Sequence, residues 1–247
     1  MKRLATLTVY TIFELAMQPA FKVTPVVAVL WAIFLGFVPR IPDPNLLRSI
    51  LFMLLLLYGS IASANTVVQR LQRGAVELYL SKPFSRADLI LATYLGVTIL
   101  VASVFLMFGL TWLLIWWERT GTWNGGIVST CASLVVGFAS MYGFIAAGGI
   151  IFRHTPFVTL LSTLYILFGA TILEIRSFDF MNINAQQTPD RFLQILYYAL
   201  PPLIAIQKSL GTAIAGGAID PYPVIHAGAV AVFALTAGIL YLQREDL

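Results

Sequence analysis

Charged residues are scarce in this sequence. Only 11% of its 247 residues are Asp, Glu, Lys or Arg, whereas 59% are hydrophobic and the mean hydropathy is +0.88. A water-soluble domain could not bury so much apolar surface in one core. The formal net charge of +4 could suggest nucleic acid, but the basic residues are thinly spread at the ends of apolar stretches. The composition therefore predicts an integral membrane protein with anionic lipid, rather than nucleic acid, as its charged partner.

Cysteine pairs and phosphate-binding motifs are also missing. Cys131 is the single cysteine, which excludes a disulfide within the chain and a CxxC metal or redox site. No Gly-Lys dipeptide occurs, so the chain has no P-loop for ATP phosphates. We therefore expect no catalytic residue, metal or cofactor in this chain.

Six apolar stretches are long enough to be read as transmembrane helices, since about 20 residues cross a hydrocarbon core of about 30 Å. None carries a charge in its interior. The third is long enough to require tilt or a break, for which Gly96 and Gly109 are the expected places. The six predicted spans cover residues 22–38, 47–68, 89–117, 127–152, 157–173 and 224–242.

The distribution of basic residues predicts which side each end faces. With both termini in the cytoplasm, nine of the fifteen Lys and Arg residues lie inside, and the whole net charge falls on that side. Trp116, Trp117 and Trp123 then lie in the outer aromatic belt. We expect a multi-pass protein of the cytoplasmic (inner) membrane, with both termini cytoplasmic.

Residues 1–18 carry the basic start of a signal peptide, but Glu14 interrupts the apolar run and no cleavage pattern follows, so we expect the segment to be retained. The pattern predicts an interfacial helix on the inner leaflet that ends before Pro19; an irregular terminus is the alternative. Its apolar face would hold Leu4, Leu7, Ile12, Leu15 and Ala16.

Two connections are candidates for function. The cytosolic residues 69–88 read QRLQRGAVELYLSKPFSRAD, an amphipathic pattern that predicts a short helix ending before Pro83. The alternative is an ordinary positive-inside loop. The outer residues 174–222 contain an apolar stretch interrupted by Pro201 and Pro202, which predicts a re-entrant helical hairpin rather than a seventh span.

The cytosolic connection resembles the permease subunits of the ABC type-2 transporter family, and the small bacterial permeases in particular. The proline-bearing stretch ALPPLIAIQKSL and the basic ending YLQREDL are similar to the same family. The motif covers about 25 residues, whereas the resemblance in topology covers the whole chain. The residues that carry it are Gly74, Glu77, Leu78, Ser81, Lys82, Pro83, Ser85 and Arg86, followed by Leu89, Leu91 and residues 94–96.

The resemblance implies that the chain is an all-α permease of one domain, 1–247, that exports a substrate. A separate cytosolic ATPase would bind ATP and Mg²⁺ and receive the coupling helix between spans 2 and 3. A second permease copy or paralogue would complete the pathway, and a periplasmic or extracellular protein is a further possible partner. The expected coupling residues are Arg70, Arg73, Gly74, Glu77, Leu78, Ser81, Lys82, Pro83 and Arg86.

Two rival functions remain open. The same loop could dock another cytosolic protein to a non-transporting scaffold or assembly factor. An intramembrane enzyme would need a nucleophile and a base. Ser60, Ser63 and His226 lie in the predicted spans, but no Gly-x-Ser-x-Gly motif of a catalytic serine accompanies them. Small residues at Ala139, Gly143 and Ala147, and at Ala234 and Gly238, predict close helix contacts, either within one subunit or between two.

Overall fold

The structure is a computed structural model that describes residues 2–37, 85–152, 198–214 and 219–245, with Leu160, Leu164 and Ile195 as isolated helical positions. All regular secondary structure in these ranges is α-helical. We number the helices in chain order. They are α1 (Lys2–Met17), α2 (Pro19–Phe37), α3 (Arg86–Thr120), α4 (Gly125–Phe152), α5 (Leu203–Ile214) and α6 (Pro221–Glu245).

Three of these helices, α3, α4 and α6, are long and apolar enough to cross a membrane. The predicted spans at 89–117, 127–152 and 224–242 fall within them. The predicted span at 22–38 falls largely within α2, whereas those at 47–68 and 157–173 lie essentially outside the described residues. The described part of the chain is therefore that of an all-α membrane protein, as its composition predicts.

Helices α1 and α2 meet at a sharp bend. The angle between them is 73°, and together they are long and apolar enough to form a broken span or a re-entrant segment. Pro19 is the first residue of α2, where its missing N–H costs nothing because no intrahelical acceptor exists there. The helix thus begins three residues before the predicted span.

One side of α1 packs against the first third of α3. Its buried residues are Leu7, Thr8, Thr11 and Leu15, while Leu4, Ile12 and Ala16 are only partly buried. Gly96 permits this contact, because a Cβ there would lie 2.7 Å from Cγ2 of Thr11. The side of α1 that sequence periodicity assigned to lipid is thus turned partly toward α3.

Helix α3 runs without a break for 35 residues. Of the two expectations for this long span, tilt or a break at Gly96 or Gly109, the structure shows no break. A glycine costs a helix only about 1 kcal/mol relative to alanine, which tertiary packing readily offsets. Both glycines instead make room for a neighbour: Gly96 for Thr11 of α1, and Gly109 for Sγ of Cys131 in α4.

The core is centred on α3 and α4, receives buried side chains from the other four helices, and contains a stack of three aromatic rings. Tyr142 stacks on Tyr94 with ring centroids 5.6 Å apart and on Phe138 at 5.8 Å. The hydroxyl of Tyr94 donates to the carbonyl oxygen of Ala139 at 2.9 Å, which satisfies it in an apolar environment. This stack fixes the first third of α3 against the middle of α4.

Candidate functional site

The start of α3 is fixed by a reciprocal capping box. Ser85 Oγ accepts from the amide of Asp88, and the Asp88 carboxylate accepts from the amide of Ser85 at 3.2 Å. A negative side chain in the first turn also favours the helix dipole. Ser85 belongs to the motif that resembles ABC permeases, so its local role is to set where α3 begins.

This capping box could have been predicted, because a Ser followed three residues later by an acid just before an apolar run is its usual signature. In the sequence, Ser85 and Arg86 stand out only because they match the permease motif. In the structure Arg86 is the first residue of α3.

The other predicted coupling residues, from Arg70 to Pro83, lie outside the described residues. The structure does describe the residues that follow them and the helix that packs there. The capped start of α3 directly follows them in sequence, and α1 packs on α3 within its first three turns, where Leu7 contacts Leu89 and Ala92. The start of α3 and α1 therefore form one unit at the predicted cytosolic end.

Helix α4 makes its closest contact with α6 through small residues. A Cβ on Gly143 would lie 3.3 Å from the carbonyl oxygen of Ala231, and one on Gly238 would lie 3.3 Å from Cα of Ala147. Such close backbone approach is the usual means of helix association in membranes. Gly143 and Ala147 are thus engaged within one subunit, and Ala139 supplies the carbonyl bonded by Tyr94.

A second glycine pair on α4 accommodates α5. A Cβ on Gly126 would overlap the carbonyl oxygen of Ala213, and one on Gly137 would lie 3.2 Å from Cδ1 of Ile206. Helix α5 therefore runs antiparallel to α4, from the level of Gly137 to that of Gly126. With a rise of 1.5 Å per residue, its N-terminal end lies about 18 Å from the start of α4.

The N-terminal end of α5 is formed by Pro201 and Pro202, both buried. The carbonyl oxygen of Pro202 accepts from the amide of Ile206 at 3.0 Å, and that of Pro201 from Leu203 at 2.8 Å.

A long-range hydrogen bond ties the chain just before these prolines to α6. The carbonyl oxygen of Tyr198 accepts from the ring of His226, 2.9 Å away in α6. The partner of His226 could not be identified from the sequence, because it lies 28 residues away.

Hydroxyl groups differ sharply between α3 and α4. On α3, Thr93 and Thr98 each donate to the carbonyl oxygen four residues earlier at 2.8 Å. On α4, Ser133 does the same to Ser129, whereas Thr130 and Ser140 are fully buried and their hydroxyls have no hydrogen-bond partner among the described residues. A buried hydroxyl without a partner costs about 1–3 kcal/mol. No described contact offsets the cost of burying the hydroxyls of Thr130 and Ser140.

Among the described residues, no group of three His, Cys, Asp or Glu side chains is placed to hold a metal ion. No protein-family model matches the chain, and no curated protein matches it. The resemblance to ABC type-2 permeases thus rests on the motif residues and remains a prediction.

Proposed function

We propose that this chain is the membrane-spanning permease subunit of an ATP-driven exporter, whose ATPase is a separate cytosolic protein. The substrate would cross the cytoplasmic membrane between this chain and a second permease copy or paralogue. The ATPase would bind ATP and Mg²⁺, and residues 69–88 of this chain would dock it.

The continuity of α3 is the observation that best supports this proposal. The helix extends from the capping box at Ser85 to the left-handed glycine Gly121, about 52 Å by helical rise. It directly follows the predicted coupling segment. A displacement of that segment by a closing ATPase would therefore reach the opposite end of the membrane through one rigid helix.

Helix α1 supports the same proposal. It packs on α3 beside the capped start, so a movement of the coupling segment would carry α1 with it. The exposed residues of α1 are mostly apolar (Val9, Tyr10, Phe13 and Met17), together with Thr6 and Glu14, and this mixture suits a helix lying in the membrane interface.

The predicted outer hairpin has support from α5. Its length of 12 residues, its antiparallel course along α4 and the buried Pro201–Pro202 turn suit a helix that enters the membrane and returns. A seventh span would need about 20 residues.

The proposal is tested by the double substitution Glu77→Ala with Leu78→Ala, which removes an acid and an apolar contact from the predicted coupling helix. We expect the variant to lose co-purification with its ATPase and ATP-dependent transport. The matched control is Glu118→Ala, which removes an acid from the other end of α3 and should leave both unchanged.

Unchanged ATPase association and transport in the double variant would refute the coupling assignment. Association with a cytosolic protein that hydrolyses no ATP would favour the scaffold interpretation. Loss of an enzymatic activity in His226→Ala would favour an intramembrane enzyme.

A further inference from the structure

Three aromatic rings meet where α6 begins, and we call Tyr198, Tyr222 and His226 the aromatic corner. The ring centroid of His226 lies 6.0 Å from that of Tyr198 and 6.1 Å from that of Tyr222. The interplanar angles are 55° and 40°, so neither tyrosine ring lies flat on the imidazole ring. The tyrosine faces are therefore not used up by stacking within the corner.

Hydrogen bonds hold the aromatic corner together. The carbonyl oxygen of Tyr198 accepts from the ring of His226 at 2.9 Å, and a side-chain hydrogen bond joins Tyr222 to Tyr198. Tyr222 and His226 are four residues apart on α6, which places them on the same side of that helix. The three rings are thus positioned before any ligand arrives, although Tyr198 lies on a separate segment of the chain.

The two tyrosines of the corner are open to the surroundings. Tyr198 is 59% exposed and Tyr222 is 53% exposed. The face of an aromatic ring carries partial negative charge, and it attracts a cation that lies within about 6 Å of the ring centroid. Because the centroids are only 6.0 and 6.1 Å apart, a single cation can lie within that distance of more than one ring.

Asp220 adds a carboxylate beside the corner. It is exposed, and its Oδ1 accepts from the amide of Tyr222 at 3.0 Å. The start of a helix carries a partial positive charge of about half an elementary charge, which by itself would disfavour a cation. The full negative charge of Asp220 exceeds it, so the local charge at the corner is negative.

We propose that the aromatic corner and Asp220 bind an organic ammonium group at the membrane surface. The corner includes the first turns of α6, a helix long and apolar enough to cross a membrane, so it lies where that helix enters the bilayer. A trimethylammonium group suits the site, since aromatic rings are the usual partners of quaternary ammonium ligands. A compact ion such as Na⁺ would lose hydration that aromatic rings do not replace.

The ammonium group could belong to a free small molecule or to the headgroup of a zwitterionic phospholipid. Choline and dihexanoylphosphatidylcholine separate these sources, because they share the trimethylammonium group and differ in the phosphate and acyl chains. The site does not depend on an ATPase, so it stands or falls separately from the proposed function.

The test is equilibrium dialysis of radiolabelled choline against the purified full chain in dodecyl maltoside, an uncharged detergent. We expect saturable binding at one site per chain. The uncharged analogue 3,3-dimethylbutan-1-ol has the shape of choline without its charge, and it should compete about tenfold more weakly or less. Dihexanoylphosphatidylcholine that competes more strongly than unlabelled choline would identify a lipid headgroup, and weaker competition would identify a free small ammonium.

Substitutions test the rings and the charge separately. Tyr222→Leu keeps apolar bulk but removes the ring, and it should weaken choline binding by about fivefold or more, whereas Tyr222→Phe should stay within about twofold. Asp220→Asn keeps an acceptor for the Tyr222 amide but removes the charge, so it should also weaken binding. The matched control is Tyr241→Leu, an exposed tyrosine near the other end of α6, which should bind choline like the unmodified chain.

The proposal is overturned if choline does not bind saturably, or if the uncharged analogue competes as well as unlabelled choline. It is equally overturned if Tyr222→Leu binds choline like Tyr241→Leu. Circular dichroism establishes that the variants are folded. Should Tyr222→Leu not fold, Tyr198→Leu supplies the comparison, because it removes a ring of the corner and keeps the carbonyl oxygen that bonds His226.

Discussion

Helix α4 packs against α6 on one side and against α5 on another, and the two contacts differ in what they bury. Both depend on glycines that let backbones approach closely. The contact with α6 is apolar, with Gly143 and Ala147 against Ala231 and Gly238. The side toward α5 instead buries the hydroxyl of Thr130, seven residues before Gly137, which has no hydrogen-bond partner among the described residues. Both contacts are close, but the second leaves a buried hydroxyl without a partner among the described residues.

The largest effect is expected on the α6 side. Gly143→Leu would place a full side chain against the backbone of Ala231, and overpacking of this kind costs up to about 3 kcal/mol. We expect a clear fall in the free energy of unfolding, measured by denaturant titration of the purified protein. Gly228→Ala is the control, because no described atom lies within 4 Å of the Cβ it adds. An equal fall in both variants would mean that the α4–α6 contact is not close.

A smaller effect is expected from Gly126→Ala on the α5 side. The new Cβ would overlap the carbonyl oxygen of Ala213 and displace the end of α5, at a cost of about 2 kcal/mol. Gly125→Ala is a close control, since its Cβ meets no described atom within 4 Å and alanine favours a helix. The thermal unfolding midpoints of the two variants should therefore differ. If the two midpoints coincide, α5 does not pack against Gly126.

Ser140→Ala should act in the opposite direction. It removes a buried hydroxyl without a partner among the described residues, so we expect a gain of about 1 kcal/mol in the free energy of unfolding. Ser133→Ala removes a hydrogen-bonded hydroxyl and should not stabilise the protein. A loss of stability in Ser140→Ala would show that its hydroxyl has a hydrogen-bond partner.

The smallest effect concerns the third neighbour of α4. Tyr94→Phe removes the hydrogen bond from α3 to the Ala139 carbonyl but keeps the ring stack, and interhelical bonds in membranes contribute about 0.6 kcal/mol on average. We expect a decrease of this size in the unfolding titration. A decrease in the free energy of unfolding several times larger would mean that the contact between α3 and α4 depends mainly on this hydrogen bond.

The apolar helices were predictable because hydropathy acts locally. The predicted spans at 89–117, 127–152 and 224–242 differ from α3, α4 and α6 by only a few residues at each end. Whether the long third span would tilt or break was not predictable, since the close approach of Thr11 to Gly96 and of Cys131 to Gly109 depends on tertiary packing. The identity of each helix's neighbour depends on such tertiary contacts.

The candidate site was predictable only in part. The doublet Pro201–Pro202 predicts a re-entrant segment, which stays a prediction, and nothing in the sequence distinguishes Ser140 from Ser133. The Ser133 hydroxyl donates to a carbonyl oxygen of α4, and the Ser140 hydroxyl does not. That difference depends on the rotamer and the neighbours of each serine rather than on residue type. The assignment of the coupling residues from Arg70 to Pro83 stays a prediction.

The position of Cys131 has a practical consequence for experiments on this protein. It is the chain's single thiol, and it is buried against Gly109 between α3 and α4. A cysteine introduced at an exposed position, such as Thr122 or Asp220, would thus report its own accessibility to a membrane-impermeant maleimide with little background. The natural sequence can serve as the parent for mapping which loops face each side of the membrane.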